Sequence, residues 1–310
     1  MLMLGLFLTA IYALFYVGSI DAMNSAEPFG PDFVVRAVGF CMRTLLRCFG
    51  LTSTIIFDDD ADEAAKPGGT TSEERKQARL ARAVAGERFI GAASPHGAFA
   101  VAQIGFTMFA FRNDRELALF HTRIAGASVL FYIPVVREML LLVGVRDASR
   151  ENVYALAKRD VSVAISPGGI WEQVNTDHRR EKVYCQKRLG FVRLALAVGK
   201  PLVPIYSFGE NQVFRTSKFM LRARLWIARN LWVGVPIIFG RFGLPIPLPT
   251  KVTTVIGRTV ELEGGIEDRG HPTDEEVERM FTLYVIKPRR SEGGGMIWYR
   301  GRAAPKIEMN

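Results

Sequence analysis

Histidine, carboxylate and glycine residues stand at three points of this sequence where they could move a proton and hold an anion. His96 lies in Ser94-Pro95-His96-Gly97, directly after a run that reads as a strand, Arg88–Ser94. An imidazole at a strand-to-loop tip can take a proton from a hydroxyl near neutral pH. Pro95 fixes the turn, and Gly97 lets the backbone come close to a ligand. A lone turn histidine is more often structural, so both readings stand on residue type. Ser166-Pro167-Gly168-Gly169 follows a second strand, Val161–Ile165, and Glu172 comes shortly after. Such a loop offers backbone N–H groups to a phosphate or an anionic oxygen. Glu172 then orients the acceptor or the histidine, or is a solvated carboxylate beside a tight turn. Gly209-Glu210-Asn211 makes a third polar loop, after the strand Leu202–Ser207. Arg188, Gly190 and Arg193 precede that strand, either as groups for phosphates or as the solvated face of a helix beginning at Phe191. Arg137-Glu138, in an apolar segment, reads as a salt bridge that holds its own helix. His121 and His178 have no usable arrangement, and His271 stands beside Pro272 at a helix start.

The elements that position these residues follow from hydrophobic period. Short apolar runs read as buried strands and alternate with helical patterns over Val135–Val143 and Phe191–Val198. In the latter, Phe191, Leu194, Ala195 and Val198 form one stripe. The alternation predicts an α/β fold, a mostly parallel sheet flanked by helices, with active loops at strand ends. Thr273-Asp-Glu-Glu276 is a capping box opening a helix through Val285. The apolar stretch Val233–Pro249, broken by Pro and Gly, must pack on the domain, dip into lipid or line an acyl-chain path. No G-x-S-x-G, Walker A or G-x-G-x-x-G pattern occurs, which argues against a hydrolase elbow or a nucleotide site.

Hydrophobic residues make up 49% of the 310, mean hydropathy is +0.13, and Phe outnumbers Tyr 21 to 8, a balance that leans towards a membrane. The net charge of +9 suits anionic headgroups or a phosphate-rich ligand such as coenzyme A. No nucleic-acid motif accompanies it, so nucleic acid is the weakest partner; the charge also serves simply to keep a greasy chain soluble. Cys41, Cys48 and Cys185 form neither a disulfide framework nor a metal spacing. Leu2–Ile20 carries no charge and is long enough to span a bilayer, a retained anchor being favoured over a cleaved signal peptide. Arg36, Arg43 and Arg47 downstream place the rest of the chain in the cytosol. They share one face within Phe33–Phe57, which predicts a helix lying in the interface, half of a hairpin, or an ordinary amphipathic cover. The expected organisation is membrane-anchoring helices over 1–57, an acidic linker over 58–74, a catalytic domain over 75–285 and a loosely ordered basic tail over 286–310.

From Phe89 to Val285 these segments resemble the type 2 diacylglycerol acyltransferase family, which includes monoacylglycerol and wax-alcohol acyltransferases. The most specific stretch is RLGFVRLALAVGKPLVPIYSFGENQVF, Arg188 to Phe214. Pro95-His96-Gly97 is similar to the family's His-Pro-His-Gly motif, and Pro134–Glu138 to its P-x-x-R-E. Ser166–Glu172 is similar to its Gly-Gly-x-x-Glu loop, and His271-Pro272-Thr273 to its C-terminal helix start. The resemblance implies a glycerolipid-acyltransferase-like fold and an integral protein of the endoplasmic reticulum, with lipid droplets as a further location and the catalytic domain facing the cytosol. It implies that His96 deprotonates an acceptor hydroxyl, which attacks the acyl-CoA thioester directly, with no metal or cofactor. By the resemblance Glu172 joins His96 as a catalytic residue, and Ser94, Pro95, Gly97, Arg137, Glu138, Pro167, Gly168, Gly169, Arg188, Gly190, Phe191, Gly209, Glu210 and Asn211 become substrate-binding ones. The implied partners are acyl-CoA, an acylglycerol or long-chain alcohol, and the bilayer, with a second copy of the chain as a further candidate. Diacylglycerol is the expected acceptor; monoacylglycerol, a wax alcohol or a sterol is the alternative, and an inactive lipid-binding relative the reading from another class. Ser94 replaces the motif's first histidine, and after Val285 the chain breaks into Ile286-Lys287-Pro288 and glycines where the family continues its helix.

Overall fold

Alternating side-chain placement in the central strands decides the architecture. Ile90 and Ala92 point to one face of the sheet with Val163 and Leu202, while Phe89, Ala93, Val203 and Ile205 point to the other. Both faces therefore need helices or loops over them, as in a buried parallel sheet. A computed structural model describes residues 12–13, 16–57, 74, 77, 87–101, 121–184, 188–257, 259–261, 271–286 and 308–309. Its strands are β1 (Thr52–Phe57), β2 (Ile90–Ser94), β3 (Arg123–Gly126), β4 (Val145–Asp147), β5 (Val163–Ile165), β6 (Lys182–Val183), β7 (Leu202–Phe208), β8 (Arg215–Thr216), β9 (Ile238–Phe239), β10 (Lys251–Ile256) and β11 (Glu308–Met309). The helices are α1 (Asp32–Cys48), α2 (Val136–Leu142), α3 (Arg150–Ala157), α4 (Gly169–Asn175), α5 (Gly190–Val198), α6 (Leu221–Asn230) and α7 (Asp274–Ile286).

Seven strands form one sheet in the order β1-β10-β7-β2-β5-β3-β4. The five from β7 to β4 are parallel; β10 runs antiparallel to β7, and β1 runs parallel to β10. The sheet is thus mostly parallel, with its reversed pair at one edge. Helices α3, α5 and α7 bury Leu156, Leu194, Val277 and Met280 against one face. Phe191 meets Phe281 and Tyr284 edge to face. Helix α5 ends at Gly199, whose φ of 69° is left-handed, and Lys200 then donates its N–H to the Ala195 carbonyl. That is a Schellman-type stop, for which glycine is favoured. At α7 the capping box forms as its spacing implies: the Glu276 N–H donates to Thr273 Oγ1 at 3.2 Å, and the Thr273 N–H donates to Glu276 Oε2 at 2.7 Å.

The stretch Phe33–Phe57 is not one apolar helix. Helix α1 stops at Cys48, and Thr52–Phe57 pairs residue for residue with Lys251–Ile256 as an edge strand. A β-branched run with a strand partner is better satisfied in the ladder than as a further stretch of helix of low propensity. Among the described residues no helix is long and apolar enough to cross a membrane; most of Leu2–Ile20 lies outside them. So do Cys185, most of the acidic stretch 58–74 and most of the tail, though Glu308–Met309 pairs with β6.

The described residues of the N-terminal segment are gripped at the β4 edge. Arg137 forms a 3.3 Å ion pair with Glu138, stacks 3.4 Å over the Tyr16 ring and donates to the Tyr16 carbonyl. Glu138 also accepts from Tyr12 Oη at 2.9 Å and Ser19 Oγ at 3.2 Å. Burial opposes its charge, but these donors and its own N–H outweigh that and hold its pKa below the usual value. Arg146, fully buried, donates to the carbonyls of Ser25, Glu27, Leu141 and Val145 at 2.6–3.1 Å. An uncompensated buried guanidinium is expensive, so four carbonyl acceptors are what make the position tenable.

Candidate active site

Because β2, β5 and β7 are parallel neighbours, the loops after them open on the same edge of the sheet. Parallel sheets place ligands outside that edge. The loop after β2 carries His96, the loop after β5 leads into α4 with Glu172, and the loop after β7 carries Glu210. Three residues separate the end of helix α5 from β7, so its first turn, with Gly190, returns to the same edge. The Ser94–Pro95 bond is cis.

Two buried carboxylates hold the histidine loop by its backbone. Glu172, 1% exposed, accepts the N–H of His96 on Oε1 and the N–H of Tyr184 on Oε2, the latter at 3.0 Å. Glu210 Oε1 accepts the N–H of Val101 at 2.7 Å, at the far end of the loop. Between them, Gln173 Nε2 donates to the Ala98 carbonyl at 2.8 Å. Glu172 is therefore no solvated carboxylate. Burial pushes its pKa up to about 7, against the pull of the two N–H donors. Its effect on the histidine passes through the main chain, since it touches the amide of His96 and not the ring.

The imidazole itself is half-buried. Its Nδ1 lies 3.2 Å from the Gly97 carbonyl. A carbonyl can only accept, so Nδ1 carries the hydrogen and Nε2 is left with a free lone pair. Withdrawal from solvent lowers the pKa below its ordinary value, only partly countered by that hydrogen bond. The ring is thus a neutral base near pH 7, with its acceptor nitrogen free for a substrate hydroxyl.

Glycines make this arrangement sterically feasible. A Cβ on Gly168 would stand 2.2 Å from Glu172 Oε2, and one on Gly97 would stand 2.7 Å from Glu210 Cγ. Gly97 also has φ +63°, a region that L residues other than glycine rarely adopt. Gly97→Ala is accordingly expected to destabilise the fold by about 1–3 kcal/mol and slow turnover by roughly tenfold or more. Denaturant melts and initial rates check this; unchanged values for both would mean that the Glu210 contact is dispensable. The N–H of Gly169 goes to the Ser166 carbonyl at 3.0 Å, closing the Pro167-Gly168 turn.

Asn211 Nδ2 donates to the Asp177 carbonyl at 3.0 Å, and Arg188 stands exposed before α5. Arg193 is occupied by α7: it donates to the Pro272 carbonyl at 2.9 Å and pairs with Asp274. Phe191 is in the core, and Arg137 and Glu138 are engaged with Tyr12, Tyr16 and Ser19 as described above. Sequence reasoning missed Glu181, 5% exposed, which accepts from Tyr206 Oη at 2.9 Å and from the Gly209 N–H at 3.4 Å. It props the turn that aims Glu210 at the histidine loop. It also missed His178, whose Nδ1 accepts the Thr216 N–H at 3.2 Å. No spacing signal marks either, because each partner is distant in sequence. Among the described residues no His, Cys, Asp or Glu side chains gather into a group that could hold a metal.

A family model for diacylglycerol acyltransferase matches residues 83–289, which include every loop of the site. The chain is 34% identical over 177 residues to human 2-acylglycerol O-acyltransferase 3, covering 52% of this chain and 50% of that protein. It is 30% identical over 217 residues to diacylglycerol O-acyltransferase 1 of Eremothecium gossypii, covering 66% and 46%. To human diacylglycerol O-acyltransferase 2 it is 30% identical over 206 residues, covering 62% and 52%. The chain spans about half the length of these curated relatives. With the match running through all three loops and two-thirds of its length, the chain belongs to the diacylglycerol acyltransferase family.

Proposed function

We propose that the protein is an acyl-CoA-dependent O-acyltransferase of neutral lipid synthesis, and that its acceptor is diacylglycerol. The observation that carries this reading is a neutral imidazole with a free Nε2, on a loop fixed at both ends by buried carboxylates. In the reaction, His96 Nε2 takes the hydroxyl proton as the acceptor oxygen attacks the thioester carbonyl. The new C–O bond forms, the C–S bond breaks, and the imidazolium returns its proton to the departing thiolate, giving ester and free thiol. Glu172, Glu210, Gln173 and Glu181 act as positioning residues, because their contacts are to the loops and not to the reacting atoms. Fixing a base within reach of its proton supplies much of the rate enhancement in acyl transfer.

The same reading puts the chain at the endoplasmic reticulum membrane, catalytic domain to the cytosol. Its support is the uncharged run Leu2–Ile20 followed by Arg36, Arg43 and Arg47. A second reading, a lipid-binding relative without activity, draws on Ser94, which replaces the motif's first histidine and lies buried at the end of β2. Membranes of a host lacking neutral-lipid acyltransferases, expressing this chain and given labelled acyl-CoA, decide between them. Triacylglycerol from added diacylglycerol is the expected product. A monoacylglycerol or alcohol ester in its place corrects the acceptor, and no ester with any acceptor favours the inactive relative.

A further inference from the structure

We infer that the excursion between β8 and β10 is a membrane-contact surface of its own, seating the active-site side of the domain on a phospholipid bilayer with anionic headgroups. It is distant in sequence from the N-terminal run. It rests on the acyltransferase reading for its purpose, since lipid substrates must reach the site from a bilayer.

Charge and apolar exposure coincide here. Between Asn211 and Thr250 there are six basic residues and no acidic one. Helix α6 turns Arg224 and Ala228 inward and leaves Arg222, Trp226 and Arg229 on its outer face, at helical spacings of four and three. An aromatic between arginines is the pattern of a helix lying in the headgroup region. On either side of α6, Phe219 is 68% exposed and Trp232 70%, and further along Phe242 is 90% exposed. A monomer rarely leaves such a run of large apolar groups to water.

The backbone is built to present them. Met220, Trp232 and Phe242 have φ of 48°, 56° and 56°, left-handed values that cost a bulky residue free energy. Arg224 holds the excursion together from beneath, donating to the carbonyls of Phe219, Ser217 and Val235 at 2.5–3.3 Å. Strain and a buried guanidinium used to hold aromatics outward are hard to account for unless something covers them. The position fits lipid delivery: a Cβ on Gly234 would meet Gln173 Oε1 at 2.1 Å, and Gln173 is the residue that donates to the histidine loop at Ala98. The surface thus lies one side chain away from that loop.

The test uses the full chain in phosphatidylcholine vesicles containing phosphatidylserine, with brominated acyl chains as quenchers of tryptophan emission. It needs no acyl-CoA or acceptor, so its failure is separate from failure of the acyltransferase reading. Emission is expected to be quenched, and the double substitution Trp226→Phe/Trp232→Phe to remove most of the quenched signal. Arg222→Glu/Arg229→Glu, both at exposed positions, is expected to abolish the extra quenching that phosphatidylserine gives. Quenching that survives removal of both tryptophans, or blue-shifted emission that bromine does not reach, would overturn the proposal; the latter would mean that protein covers the surface. Phosphatidylserine dependence that survives the charge reversal would also overturn it.

Discussion

His96→Ala is expected to lower acyl transfer by about 10²–10⁴-fold, the range for loss of a positioned general base. Stability should barely change. The contacts that order the loop go to the backbone N–H of His96, the backbone of Ala98 and the N–H of Val101, and all three survive side-chain truncation. Among the described residues, the ring's hydrogen-bond partner is the carbonyl of its neighbour, Gly97. The measurement is the initial rate at matched protein levels, with a melting curve for each variant. Retention of a tenth or more of the rate by a folded variant would remove His96 from the chemistry.

Glu172→Gln separates a carboxylate's contribution to rate from its contribution to stability. In the folded protein Glu172 titrates at about 7, against 4.5 ordinarily. Between those values the folded state keeps a proton that the unfolded chain has lost, so stability is fullest below 4.5 and declines as pH rises to about 7. The window corresponds to about 3 kcal/mol at one pKa unit per 1.4 kcal/mol. A glutamine escapes that decline, but its amide nitrogen cannot accept one of the two N–H groups, a loss of about 1–3 kcal/mol. The two effects offset, so near pH 8 the variant should melt close to wild type, with a flatter pH dependence. Its rate should fall by about 10²-fold, because small displacements of a catalytic group are costly. Below pH 7 wild type should lose activity steeply, as Glu172 protonates first and His96 protonates lower. Glu172→Gln should keep only the second, shallower limb. A wild-type acid limb of single-proton slope, unaltered in the variant, would show that Glu172 does not govern the loop.

Local pattern carried the strands and loops of the site. The Phe191–Val198 stripe, the capping box at Thr273 and the polar residues after three apolar runs all appear in the structure where their spacing put them. Glu172 could be read as orienting the acceptor or the histidine, or as a solvated carboxylate; its target is a main-chain amide, which no side-chain pattern records. Thr52–Phe57 was misread, because six residues of mixed polarity take their identity from β10, some 200 residues later. Arg137-Glu138 was legible as an ion pair, yet Tyr12, Tyr16 and Ser19 reach it across more than a hundred residues. Glu181 gave no signal at all. A lone glutamate becomes informative only when folding brings Tyr206 and the Gly209 turn beside it.

The most direct test of the central claim is product stoichiometry with the purified full chain in nanodiscs, given labelled acyl-CoA with and without diacylglycerol. The expected result is one triacylglycerol formed for each thiol released, with neither appearing when the acceptor is left out. Folded protein that forms no acyl ester, or that releases thiol equally well without an acceptor, would contradict direct acyl transfer to a lipid hydroxyl.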